Sequence, residues 1–160
     1  MESSQYPKRS RPAHLEGVEK GFRSCLYFVT VCTHNRRRIL ANEPCHALLR
    51  EAWSLASDFR VGRYVIMPDH VHLFCTPGIM PRATSLSRWV AFWKSWSASR
   101  WPQETGKVWQ REFWDRQLRT GDSYSAKWLY VRENPVRAGL ATHADTWPYG
   151  GELNEFSWYE

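Results

Sequence analysis

Arg63-Tyr64-Val65-Ile66-Met67-Pro68-Asp69-His70-Val71-His72-Leu73-Phe74-Cys75-Thr76-Pro77 consists of two apolar runs joined by a Pro-Asp pair. β-Branched and aromatic residues fill both runs, and Pro-Asp is turn chemistry. The spacing therefore predicts strands at 63–67 and 70–77 joined as an antiparallel hairpin. Successive side chains of a strand face opposite ways, which puts His70 and His72 on one face and Val71 on the other. One face is equipped to hold a metal and the other to build a core. Two imidazoles in this pattern also read as exposed or hydrogen-bonded strand histidines, so the pair needs a partner elsewhere in the chain.

Working outward, residues 24–33 (Ser-Cys-Leu-Tyr-Phe-Val-Thr-Val-Cys-Thr) predict a central strand that ends in the polar loop His34-Asn35-Arg36-Arg37-Arg38. Apolar residues at 48, 49, 52, 53, 55, 56 and 59 predict a helix over 43–59, with Asn42 as N-cap and Pro44 tolerated in the first turn. Leu86, Trp89, Val90, Trp93 and Trp96 recur at helical spacing over 85–101. Segments 108–113 and 115–119 read as extended. A last helix is expected over 123–133, with Asp122 as N-cap and Pro135 and Gly139 as stop signals. The order strand, helix, strand, strand, helix, strand, helix builds an α+β fold, a ferredoxin-like antiparallel sheet with helices packed on one side. The expected organisation is a basic arm at 1–20, one catalytic domain at 21–140 and an irregular tail at 141–160.

A chain of 160 residues is long enough to stand on its own hydrophobic core. Its 22 Lys and Arg against 16 Asp and Glu leave a charge of +6, which favours a polyanionic partner. Ten Trp, seven Tyr and seven Phe are a heavy aromatic load, mostly core, with two or three expected to stack on bases. Cys25, Cys32, Cys45 and Cys75 form no Cys-x-x-Cys pair and read as reduced thiols of a cytoplasmic protein. No apolar run has the length of a membrane span, and residues 1–20 lack a signal peptide's apolar segment, so no membrane partner is expected.

The partner to the histidines lies sixty residues on. Tyr130 and Asn134 are four apart at the end of the last helix, on one face, where a phenol and an amide oxygen supply a nucleophile and a third metal ligand. Tyr130 also reads as a core tyrosine, and Asn134 as a residue that ends a helix before proline. Tyr124 sits about 120° away around the helix and reads as packing. A mixed imidazole and oxygen site favours Mg²⁺ or Mn²⁺ as the working ion. For phosphate contacts the candidates are Arg36, Arg37, Arg38, Lys94 and Arg111, with Arg100, Arg116, Arg119 and the Lys8-Arg9-Ser10-Arg11 cluster behind them. A histidine-triad nucleotide hydrolase is a poor reading, because Phe74 stands where a third histidine is needed.

Met67-Pro68-Asp69-His70-Val71-His72-Leu73, Trp109-Gln110-Arg111-Glu112-Phe113-Trp114-Asp115-Arg116, Tyr130 through Leu140 and Trp147-Pro148-Tyr149, in that order and spacing, resemble the REP-associated tyrosine transposases, single-tyrosine members of the HUH endonuclease group. The resemblance runs from about residue 22 to 150. It implies the HUH fold and a metal-dependent single-strand DNA endonuclease and strand transferase, in which Tyr130 forms a 5′-phosphotyrosine link. It implies a partner that is hairpin-forming, palindromic repeat DNA with a single-stranded flank, in a bacterial, nucleoid-associated setting. A domesticated, non-cleaving protein that holds repeat hairpins is the alternative. Oligomeric state stays open, with a monomer favoured.

Overall fold

The computed structural model describes residues 25–78, 84–118 and 123–156, which leaves the basic arm and Arg119 outside the described residues. Five strands form one antiparallel sheet in the order β4-β1-β3-β2-β5. The expected central strand is β1, Leu26–Cys32. The hairpin is β2, Phe59–Ile66, with β3, His70–Pro77, in the register Ile66↔Val71 and Val65↔His72. Edge strand β4, Trp114–Leu118, pairs with the far side of β1.

Helix α1 covers Glu43–Leu55, capped as expected by Asn42, whose Oδ1 accepts from Cys45 N–H at 3.0 Å. It stops four residues short of its predicted end. Phe59, which the helical stripe claimed, opens β2 and packs its ring 5.3 Å from Trp89. An apolar residue at that spacing serves a strand as well as a helix, and the chain must turn at 57–58 to reach the sheet. Helix α2, Leu86–Ala98, is capped by Ser85 Oγ accepting from Arg88 N–H.

Both helices bury their stripes against the sheet face formed by Val29, Val31, Tyr64, Ile66, Val71 and Leu73. The seam is aromatic, with Trp53 and Trp93 in a T-shaped contact at 5.9 Å and Trp93 on Trp109 at 5.5 Å. Truncating one such Trp to Ala costs about 3–5 kcal/mol. Cys32, Cys45 and Cys75 are buried free thiols, matching the reduced-thiol expectation. No described helix is long and apolar enough to cross a membrane.

The antiparallel α+β arrangement is as expected, with one difference of detail: not every helix lies on one side. Helix α3, Tyr124–Arg132, packs on the opposite face, where Leu26, Val65 and Phe74 form a second cluster with Tyr124, Val131 and Phe156. Leu26, Phe28, Val65 and Phe74 make part of this second face apolar, so it also needs cover. Its N-cap is Ser123, whose Oγ accepts from Ala126 N–H; Asp122 is outside the described residues.

Nor is the C-terminal segment an irregular tail. Residues Gly150–Glu152 form β5 on the β2 edge, Trp147 Nε1–H donates to Ile66 O, and Phe156 is buried in the second cluster. Three residues with two glycines carry no alternation to reveal a strand. Gly150 is there because a side chain would press on the Tyr64 carbonyl, 3.2 Å from its Cβ position.

One irregularity in the hairpin fixes α3. Between Val61 and Tyr64 the register shifts by a bulge, and the freed Arg63 N–H donates to Tyr124 Oη at 2.9 Å. A Cβ at Gly62 would lie 2.5 Å from Phe156 Cε2 and 2.6 Å from Tyr124 Oη, so the close approach of helix and sheet requires glycine there.

Candidate active site

β3 brings His70 and His72 onto the α3 face with ring centroids 4.7 Å apart. Each ring is held through Nδ1. His70 Nδ1–H donates to Asp69 Oδ1 at 2.7 Å, and His72 Nδ1 lies 2.8 Å from Thr30 Oγ1, which projects from β1 directly opposite. With Nδ1 engaged on both rings, the two Nε2 atoms are left for a ligand, an arrangement in which the second partner sets the tautomer and raises basicity. Burial lowers the His72 pKa to about 3, helped by the charges of His70, Lys127, Arg36 and Arg137, so this ring stays neutral and ready to ligate at ordinary pH.

Asp69 is itself held. Arg36 Nε–H donates to Asp69 Oδ2 at 2.9 Å, and Arg36 Nη2 lies 3.4 Å from His70 Nδ1. Burial alone would raise the Asp69 carboxyl, but hydrogen bonds from His70 and Arg36 outweigh it and hold the group well below the usual carboxylate range. The loop that carries Arg36 is strained into place: Asn35 and Arg36 take φ of 55° and 51°, in the left-handed region. Thr33 fastens that loop to the hairpin turn, its N–H and Oγ1–H both donating to Asp69 O. An expected turn residue, Asp69 is thus the support of His70, a role with no sequence signal beyond adjacency.

The two tyrosines of α3 have opposite environments. Tyr124 is 1% exposed, as the packing reading expected, whereas Tyr130 is 63% exposed and no core residue. Lys127 Nζ lies 5.0 Å from the Phe28 ring and 5.9 Å from the Tyr130 ring, and Phe28 stacks on His72 at 5.2 Å. Two residues, Lys127 and Phe28, thus link the phenol to His72 through three contacts.

Asn134 does not continue the same helix as Tyr130. Glu133 closes α3, and a new turn, α4, Asn134–Arg137, begins with Pro135 in its first turn, so that proline starts a helix here; Gly139, at φ 72°, follows its end. Arg137 joins the pair: its guanidinium stacks on the Tyr130 ring at 4.1 Å and donates to Asn134 Oδ1. Sequence reasoning missed Arg137, although its position three residues past Asn134 was available.

The other cations differ in use. Arg37 donates to Lys107 O, Arg38 is exposed, and Arg111 is exposed. Lys94 Nζ donates to Gln110 O at 2.5 Å and Arg111 O at 3.1 Å, tying α2 to the loop before β4; burial lowers its pKa. Among the described residues no group of three or more His, Cys, Asp or Glu gathers. An ion at the two Nε2 atoms would therefore complete its coordination from an amide oxygen, water or substrate phosphate.

A family profile described as "Transposase IS200 like" matches residues 22–131. The REP-associated tyrosine transposase of Escherichia coli (strain K12) is 26% identical over 127 residues, 77% of this chain and 73% of that protein. Among solved structures, that of a REP-associated tyrosine transposase bound to a REP hairpin superposes with a TM-score of 0.61 at 23% identity, covering 85% of this chain and 91% of the other. At that identity the likeness establishes the fold.

Proposed function

The chain belongs to the IS200-like transposase family, a family of DNA-processing proteins, and from that premise we propose that it is a metal-dependent single-strand DNA endonuclease and strand transferase with Tyr130 as nucleophile. The substrate we propose is repeat DNA folded as a hairpin, after the REP hairpin bound by the structural neighbour, with the single-stranded flank that the family resemblance implies. The observation that carries the reading is the exposed phenol of Tyr130 on a helix laid over the histidine face, while Tyr124 of the same helix is sealed.

In the proposed reaction Tyr130 Oη loses its proton and attacks phosphorus. An Oη–P bond forms, the P–O3′ bond breaks, and the departing 3′ oxygen takes a proton to become a hydroxyl. The 5′-phosphotyrosine keeps the phosphate activated, so a second strand's 3′-hydroxyl reverses the step and joins the ends. Nε2 of His70 and His72, with Asn134 Oδ1 as third ligand, would hold Mg²⁺ or Mn²⁺, which neutralises phosphate charge and favours the phenolate. Arg137 keeps the phenol ring in place while sharing the Asn134 oxygen, which retains a second lone pair. Arg36 and Asp69 keep the His70 Nε2 lone pair directed at the site.

Incubation with end-labelled, flanked hairpin DNA tests this. A covalent adduct should form with Mg²⁺ or Mn²⁺, and should vanish in EDTA, in Tyr130→Phe, and in His70→Ala or His72→Ala. An adduct that persists in Tyr130→Phe removes the nucleophile, and one that persists in EDTA removes the metal. Binding without any adduct in the wild type would make the protein a non-cleaving hairpin binder.

A further inference from the structure

Nine of the ten Trp lie in the described residues, and among them Trp114 is the exposed one, with 40% of its surface open. It stands at the start of β4, the sheet edge. The register fixes which way it faces. Trp114 pairs with Thr30 of β1, and Thr30 pairs on its other side with His72 of β3. Residues directly opposite in neighbouring strands share a face, so Trp114, Thr30 and His72 form one row, with Arg116, Phe28 and Phe74 as the next. Two strand spacings, about 10 Å, separate the Trp114 and His72 backbones. One nucleotide spans that distance from its phosphate to the far edge of its base.

The row is also electrostatically asymmetric. Around His72 stand Arg36, Lys127 and Arg137, whose charges all act on its ring, while the small Thr30 is the residue between His72 and Trp114 in the row. Cations at one end and an open aromatic at the other match a phosphate followed by an unpaired base. Of the other large exposed apolar side chains besides Tyr130, Phe92 is on α2 and Leu55 on α1, in the layer across the sheet, and Leu129 on α3 has no aromatic face to offer a base.

We propose that Trp114 is the stacking platform for the unpaired base next to the phosphate held at His70, His72 and Tyr130. This rests on the single-strand DNA reading above and adds the residue that requires the strand to be unpaired there. A base inside a duplex is already stacked and cannot offer its face to the indole, so Trp114 selects for a single-stranded flank independently of sequence.

The test is binding of the full-length protein, without metal, to labelled oligothymidylate and to an abasic oligomer of the same length and charge. Wild type should prefer the oligothymidylate by about ten-fold, the size of one base–aromatic stack. Trp114→Ala should erase the preference while leaving the salt dependence unchanged, since phosphate contacts persist, and Trp114→Phe should restore most of it. A wild-type preference retained in Trp114→Ala overturns the proposal. So does a shift from dimer to monomer in Trp114→Ala with DNA binding unaltered, which would give the edge to a second copy of the chain. Because the readout is binding, a base preference lost with Trp114 upholds the platform even if the wild type forms no covalent adduct, which would overturn only the nuclease reading.

Discussion

Replacing Tyr124 or Tyr130 by Phe removes one oxygen from the same helix, yet the structure assigns the two changes opposite consequences. Tyr124 Oη accepts the Arg63 N–H that the β2 bulge releases from the ladder, and its ring is 1% exposed between Phe74 and Phe156. Tyr124→Phe keeps the ring contacts and the Arg63 guanidinium 4.6 Å above the ring, but takes the acceptor from a partly buried backbone donor. Such a loss costs about 1–3 kcal/mol, and for a chain of this size each kcal/mol lowers Tm by about 2–4 °C, so a drop of about 2–12 °C is expected. The variant should still form the covalent adduct. Tyr130→Phe removes an oxygen from a ring 63% exposed and should melt within about 0.5 kcal/mol of wild type while forming no adduct. Thermal denaturation of both variants beside the adduct gel reads the crossed pattern. An undiminished Tm in Tyr124→Phe, or a destabilised Tyr130→Phe, would show that the helix is not seated as described.

Gly62→Ala should cost about 1–3 kcal/mol in urea denaturation, because its Cβ meets Phe156 and Tyr124 where neither has room to retreat; a neutral result would deny the close approach. The metal-free protein should lose stability as pH falls from 6.5 toward 4, since the unfolded His72 takes up a proton that the folded ring, with its pKa near 3, refuses; His72→Gln should flatten that slope. Asp69 acts the same way in a lower window: its depressed carboxyl stabilises the fold above its ordinary value of 3.8, and that support is lost only as pH falls further. Arg38→Ala should reduce the salt dependence of DNA binding without changing Tm, whereas Arg36→Ala should lower Tm through Asp69; equal effects would mean the three arginines are an undifferentiated basic loop.

Arg137 shows how the site is assembled from pieces of different legibility. Tyr130 and Asn134 stood out because their chemistry and four-residue spacing were recognisable in the chain. The break between α3 and α4 at Glu133 changes how they meet, and a stacked guanidinium supplies the link that one continuous helix was expected to provide. Lys94 shows the converse: its charge was legible, but its two carbonyl partners lie sixteen and seventeen residues away and were not.

By itself the sequence determined the hairpin 63–77, the shared face of His70 and His72, the stripes of α1 and α2, and the motif order that carries the resemblance, because strand alternation, helical period and turn chemistry are local. Tertiary structure decided that α3 covers the histidine face and seals Tyr124 while exposing Tyr130, because Leu26, Phe28, Val65 and Phe74 leave an apolar patch beside the histidines and periodicity names a buried side without saying which element buries it. It alone made 150–152 a strand, placed Arg36 on Asp69, and put Trp114 in line with His72. Each of those depends on register between segments far apart in the chain, and register is set by the packing of the whole sheet rather than by any one strand.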